Sequence, residues 1–257
     1  AKLETVQQKI GNTGFYYKNT TDAVQLSHAL AHVSTTTDVF RADTSNQLSY
    51  LFKLAGITVN PYAGHRDTYY SRGVSPEGSL VRGMPFAGVD LLTKLFRIYD
   101  VEVHQGGLEI NRLRHIVTPQ IQYRYQHEPT VLADRLFQLD ETDALDARNM
   151  VTLSLENKVQ TKRNDVIVDL GTLIFSSDYY LERDSTQGLG FRSFKYDLEF
   201  KPYPLWEFDS DGDYDTHEGF FRTINADLWG HFGSLSPHLG YRFKKDESSQ
   251  LTAGFSC

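Results

Sequence analysis

"NMVTLSLENKVQTKR", residues 149–163, reads with a period of two. Val151, Leu153, Leu155 and Val159 alternate with Thr152, Ser154, Glu156, Lys158, Gln160 and Lys162. A strand built from it has one apolar face and one wet face. The pattern recurs outward from this stretch. Phe194, Tyr196, Leu198 and Phe200 alternate with Ser193, Lys195, Asp197, Glu199 and Lys201, and Val117, Ile121, Tyr123 and Tyr125 with Gln120, Gln122, Arg124 and Gln126. Near the end, Leu239, Tyr241 and Phe243 alternate with His238, Arg242 and Lys244, and Leu251, Ala253 and Phe255 with Thr252 and Ser256. Less regular segments lie around 46–59, 88–103, 165–182 and 219–229, with weaker candidates at 13–18 and 29–40. These make roughly ten strands, and no long window has helical periodicity. The expected fold is all-β and antiparallel, one domain over residues 1–257 with no Pro/Gly/Ser-rich linker and no repeat of fixed period.

Alternation alone does not say which way the apolar face points, because a soluble sandwich buries it and a membrane barrel shows it to lipid. Strand length separates the two. Soluble strands run about five to six residues, whereas a tilted bilayer strand needs about 9–11. The runs at 88–103, 149–162 and 192–204 are on the long side. The 16 Phe and 15 Tyr suit interfacial girdles, although tyrosine also sits well on a soluble sheet.

Composition removes several classes. Lys plus Arg total 26 against 33 Asp plus Glu, a formal charge of -7, which does not suit a phosphate backbone, so nucleic acid is not an expected partner. The one cysteine, Cys257, allows no disulfide within the chain. No stretch is long and apolar enough for a membrane-spanning helix, while β spans stay open because alternation averages out of a hydropathy window. The sequence "AKLETVQQKI" carries neither an initiator Met nor a signal peptide, so the chain is expected to start inside a longer protein or to be processed.

Phosphate-binding and hydrolase motifs are missing, and no catalytic, cofactor-binding or metal-ligating residue is assigned. His28 and His32 lie four apart without a third ligand nearby and read as solvated or core histidines. "EFDSDGDYDTHE", residues 207–218, lays Glu207, Asp209, Asp211, Asp213, Asp215 and Glu218 on the calcium-loop template with Gly212 at its turn. Pro202 and Pro204 exclude the helix that should precede such a loop. An acidic hairpin loop facing water and a calcium-clamped loop are the two readings. The acids of "LDETDALDAR", Asp140, Glu141, Asp143 and Asp146, read as a polar loop in preference to a glycosidase pair. "NPYAGHRDTYYS", residues 60–71, packs an Asn-Pro turn, a glycine, an Arg-Asp pair and three tyrosines between strand-like segments and reads as a loop.

Four strings in order resemble the barrel of the LptD family, the outer-membrane lipopolysaccharide-assembly or organic-solvent-tolerance proteins. Pro61, Tyr62, Gly64, Arg66 and Tyr70 carry the resemblance in the first string. "GVDLLTKLFRIYDVE" follows, then Arg114, His115 and Pro119, then Asp140, Asp143, Asn149, Leu153, Asn157 and Thr161. The match is best over about residues 45–165. The resemblance implies a large antiparallel barrel in the outer membrane of a Gram-negative bacterium, plugged by an LptE-like lipoprotein. Lipopolysaccharide would arrive from a periplasmic bridge through an N-terminal jellyroll domain and leave sideways between the first and last strands. It implies no catalysis and no cofactor, and it makes residues 60–71 a strand connection at a membrane face, with tyrosines at the interface and Arg66 and Asp67 in water or against neighbouring loops. Roughly ten strands fall short of the family barrel, the jellyroll is missing, and the interdomain cysteines are absent unless Cys257 is one half of such a pair. The chain is therefore expected to be an internal fragment. The rival readings are a soluble β-sandwich carbohydrate-binding module with a calcium-stabilised loop, a glycoside hydrolase, and a small porin-like channel.

Overall fold

The computed structural model describes residues 2–29, 36–74, 78–105, 108–181 and 189–256. The strands in order are β1 (Lys2–Glu4), β2 (Gln8–Lys9), β3 (Phe15–Ala29), β4 (Thr36–Tyr50), β5 (Phe52–Leu54) and β6 (Ile57–Tyr70). Then come β7 (Leu80–Leu92), β8 (Leu95–Gln105), β9 (Leu108–Gln126), β10 (Arg148–Arg163) and β11 (Val166–Tyr180). Last are β12 (Gly190–Tyr203), β13 (Trp206–Asp215), β14 (Phe220–Gly230), β15 (Ser236–Lys244) and β16 (Ser248–Ser256). One turn of 3-10 helix, Ala133–Arg135, is the only helix among the described residues. Among the described residues no helix is long and apolar enough to cross a membrane.

All sixteen strands belong to one sheet, ordered β1-β3-β4-β6-β7-β9-β10-β11-β12-β13-β14-β15-β16, with β2 on β3, β5 on β6 and β8 on β9. The antiparallel all-β expectation therefore holds, and the expected count of roughly ten strands is corrected upward. Two of the added strands are polar segments that read as loops, and the two- and three-residue strands β1, β2 and β5 supply others. Residues 60–70 lie inside β6, paired with β4 from Ser49↔Tyr62 to Arg41↔Tyr70. Residues 207–215 lie inside β13, paired with β12 and β14. Ladder hydrogen bonds come from the backbone, so a neighbouring strand recruits a segment whose side chains are polar on both faces.

The chain divides into two compact units: Ala1–Leu91, Gln122–Val151 and Leu181–Gly188 form the first, and Leu92–Ile121, Thr152–Tyr180 and Leu189–Cys257 the second. In the second unit the two faces separate cleanly. Leu173↔Leu198 and Phe175↔Tyr196 stand on one face, Thr172↔Glu199 and Ser176↔Lys195 on the other. The apolar face is open: Phe194 is 52% exposed, Leu251 71% and Phe255 76%. A sandwich would bury these side chains at about 1.5–3 kcal/mol each; here they stay exposed. Asn164 and Asp165, at φ 49° and 61°, make the two-residue turn between β10 and β11 that matches strand twist. Thr161, 3% exposed, steadies a kink in β9 at Arg112 (φ 60°): its hydroxyl accepts from Asn111 N–H at 3.0 Å and donates to Arg112 O at 3.0 Å.

In the first unit the wet face carries Arg41, Asp43, Ser45, Gln47 and Ser49 of β4 opposite Tyr70, Thr68, Arg66, Gly64 and Tyr62 of β6. Gly64 lacks a Cβ for a visible reason, since one would strike Asn46 O and the Phe86 ring. The opposite face departs from the expected apolar surface. Aromatics flank it, with Phe15 on Tyr50 (4.8 Å between rings) towards one end and Phe40 on Tyr69 (6.5 Å) towards the other. Between them runs a polar seam. Asn19 Nδ2 donates to Asn46 Oδ1 at 2.9 Å, the Thr21 and Thr44 hydroxyls are 3.1 Å apart, and His65 Nε2 lies 3.0 Å from Asp67 Oδ1. These groups satisfy one another, which lowers the cost of their position.

Candidate functional site

The longest connection, residues 127–147, lies against the wet face of β4, β6 and β7. Its apolar residues Val131 and Leu136 pack with Val39 and Tyr70 into a buried cluster, bordered by Leu80, Phe137 and Leu139. Backbone bonds tack it down along its length: Thr130 N–H to Gly83 O at 3.0 Å and Val74 N–H to Arg135 O at 3.0 Å. The 3-10 turn at Ala133–Arg135 and the turn in which Asp143 N–H donates to Asp140 O give it a fixed shape. We call this segment the strap.

Charge fixes its far end. The Arg41 guanidinium holds Asp140 as a fork, Nη1 to Oδ1 at 2.6 Å and Nη2 to Oδ2 at 2.5 Å, and Nη1 also reaches Asp143 Oδ1 at 2.8 Å. Asp143 is 0% exposed and Arg41 3%. The Asp143 carboxylate accepts from Tyr70 OH at 3.0 Å and from the backbone N–H groups of Leu139 and Asp140, so its lone pairs are used. Arg82, 1% exposed, donates to the Thr142 carbonyl at 2.7 Å and, at 3.3 Å, to that of Asp143. Beside them Asp43 takes Arg66 Nε at 2.8 Å and Thr68 Oγ1 at 2.7 Å. Three guanidiniums and three carboxylates thus share one patch, most of it out of water. Arginine suits this work because its planar fork matches carboxylate geometry. The Arg41 hydrogen bond, helped by the Thr142 N–H, holds the Asp140 carboxyl below the usual carboxylate range against the opposing effect of burial.

The residues singled out in the sequence fall into this patch unevenly. Arg66, Tyr70, Asp140 and Asp143 come together in it, joining two strings about 70 positions apart in the chain. The reading of 60–71 as an interfacial connection is corrected: Tyr70 is buried, Arg66 pairs with Asp43, and Tyr69 alone of its neighbours stands out beside Phe40. Asp67 lies on the opposite face, against His65. The polar-loop reading of "LDETDALDAR" holds for 140–146, although Asp143 is buried where a solvated acid was expected. Sequence reasoning missed Arg41, Asp43, Thr68 and Arg82. Alternating charge in "FRADT" at 40–44 was the one signal for Arg41 and Asp43, and it falls between the segments read as strands at 29–40 and 46–59.

The two loop readings of 207–218, acidic hairpin and calcium clamp, are corrected over residues 207–215, which are strand. In a strand, side chains on one face repeat at about 6.6 Å, so Asp209, Asp211, Asp213 and Asp215 form a row along β13 and do not curl around one ion. Asp211 and Asp215 take protein partners, Asn225 Nδ2 on Asp211 at 2.9 Å and Arg222 on Asp215, and Lys201 holds Glu207 at 2.6 Å, while Asp209 Oδ1 and Asp213 Oδ1 are buried without a hydrogen-bond partner. No group of three or more acidic, His or Cys residues is arranged to hold a metal among the described residues. His32 and Cys257 lie outside the described residues.

A family model described as LptD, LPS transport system D, matches residues 2–256. The chain belongs to the LptD family. The match extends well beyond the 45–165 region that carried the resemblance in the sequence, and takes in the acidic strand β13 and the polar seam. LptD proteins are outer-membrane barrel proteins of lipopolysaccharide transport, a transport component and not an enzyme family. A search of curated proteins returned no match.

Proposed function

We propose that this LptD chain is part of an outer-membrane barrel of a Gram-negative bacterium that inserts lipopolysaccharide into the outer leaflet. The observation that carries the reading is the match of the LptD family over residues 2–256 to a sheet whose apolar alternates are exposed. Strands of 13 to 16 residues such as β3, β4, β7, β10 and β12 are long enough to cross tilted. The wet alternates then line a lumen able to pass a sugar-phosphate headgroup, with lipid on the other side. Between β9 and β13 long connections, such as 127–147, alternate with short ones, 164–165 and 204–205. Outer-membrane barrels keep short turns on the periplasmic side, which puts the strap at the cell surface. In this reading residues 1–257 are one portion of a single barrel domain, completed by strands outside this sequence because open edges are not tolerated in lipid. An LptE-like plug lipoprotein and a periplasmic bridge, reached through a domain outside this sequence, are its partners.

Photo-crosslinking from single positions in the full-length protein tests this in cells. Probes at Lys158, Glu199 and Asp211 on the wet face are expected to capture lipopolysaccharide during export, and those at Leu198 and Leu239 to capture membrane lipid. Lipopolysaccharide adducts restricted to the apolar positions, or none at all, would sink the lumenal route.

A further inference from the structure

The patch beneath the strap has the composition of an anion site whose occupant is part of the chain. Arg41, Arg66 and Arg82 face Asp43, Asp140 and Asp143, and two of those three carboxylates belong to the strap. Lifting the strap leaves three guanidiniums against Asp43 alone, an uncompensated double positive charge on one wall. The Tyr70 hydroxyl, which donates to Asp143 of the strap, stands beside them as a further donor. The strap does not use the site fully. Arg41 Nε is buried and has no hydrogen-bond partner, although Arg41 meets two carboxylates with its other nitrogens. A carboxylate has two oxygens in a plane, whereas a phosphate monoester offers three around a tetrahedral centre and close to two negative charges.

We propose that Arg41, Arg66 and Arg82 form a binding site for a phosphate monoester dianion, kept closed by Asp140 and Asp143 of the strap acting as carboxylate stand-ins. A phosphorylated ligand entering the site displaces the strap, and strap and ligand exclude one another. Identifying the ligand as the phosphorylated sugar of a lipid rests on the transport reading above; the site itself does not.

The test uses full-length protein in detergent, titrated calorimetrically with a glucosamine disaccharide bisphosphate and, separately, with inorganic phosphate. D140N/D143N should bind the disaccharide at least about tenfold more tightly than the native protein, and adding Arg41→Gln should abolish the gain. Equal affinity in native and D140N/D143N protein, or a gain that survives Arg41→Gln, overturns the proposal. If D140N/D143N does not fold, judged by heat-modifiable gel mobility, D140N alone decides. Asp140 is 42% exposed in its side chain and is the milder change, so a severalfold gain supports the site and no gain overturns it. A gain for the disaccharide only identifies a sugar-phosphate headgroup as the ligand, and a gain for both probes identifies the phosphate alone. Lipopolysaccharide crosslinks from Lys158 and Glu199 persist if only this site is wrong, and fail if the transport reading is wrong.

Discussion

Arg41 and Asp143 set the largest single-residue effects expected in this protein. Both are buried, and each satisfies the other inside a network with Tyr70 and Asp140. Truncating one partner leaves a buried charge unpaired, so Asp143→Ala should cost about 3–5 kcal/mol, measured as a urea midpoint shift of the refolded barrel. Arg41→Ala should cost a similar amount, and the double variant less than the sum of the two. An additive double variant would show that the pair does not act as a unit. Asp140 gives the patch a pH signature. Its folded pKa lies below the unfolded value near 3.8, so its contribution is present above the unfolded pKa and lost as pH falls through the folded one. Melting temperatures of native and Asp140→Asn protein should therefore differ at neutral pH and converge in the acid range below pH 4. A difference unchanged with pH would assign the effect to the amide itself.

Among the elements, the hairpin of β10 and β11 isolates one effect of turn chemistry. Asn164 and Asp165 both sit at positive φ, and glycine is the better second residue of such a turn. Asp165→Gly should stabilise by a few tenths to about 1 kcal/mol, seen in the same urea titration. Destabilisation would mean that the Asp165 side chain contributes more than its backbone strain costs. Thr161 offers the opposite case on β10. Its hydroxyl serves Asn111 N–H and Arg112 O at the kink in β9, so Thr161→Val should cost about 1–3 kcal/mol by leaving a buried donor unmet. Hydrogen exchange should show the Asn111 amide opening faster in that variant; unchanged exchange would mean the kink holds by other contacts.

For the whole molecule, the question is which face meets lipid. Leu198 and Asp197 are adjacent on β12 and point to opposite faces, Leu198 opposite Leu173 and Ser210, Asp197 opposite Ile174 and Asp211. Leu198→Arg should cost about 2–4 kcal/mol in a bilayer, as a cation near the midplane of a barrel does, while Asp197→Asn should change stability by less than about 1 kcal/mol. Refolding titrations into lipid vesicles would read both. The reverse ranking would put the wet face outside and remove the lumen from the transport reading. The polar seam of the first unit qualifies the picture in one place, since Asn19, Asn46, Thr21 and Thr44 lie between aromatic rows where leucines would be expected.

The sequence by itself determined the fold class and the family. A period of two survives translation into structure because side chains alternate across any strand, and the order of a few strings was enough to point to LptD. Strand length was legible for the same reason at 149–163, where β10 runs over Arg148–Arg163. Strands rich in polar side chains were not legible. Residues 60–70 and 207–215 became strands because their neighbours supplied ladder partners, which no local pattern records. Four residues of the candidate site, Arg66, Tyr70, Asp140 and Asp143, stood in the strings that carried the family resemblance, but their pairing belongs to the tertiary structure. Asp140 and Asp143 look like solvated loop acids until the strap folds back about 100 positions to Arg41, and only that approach removes water and turns the charges into a lock. Charge pairs across such separations leave no trace in a single sequence, since their energy depends on distance and burial, which the fold alone sets.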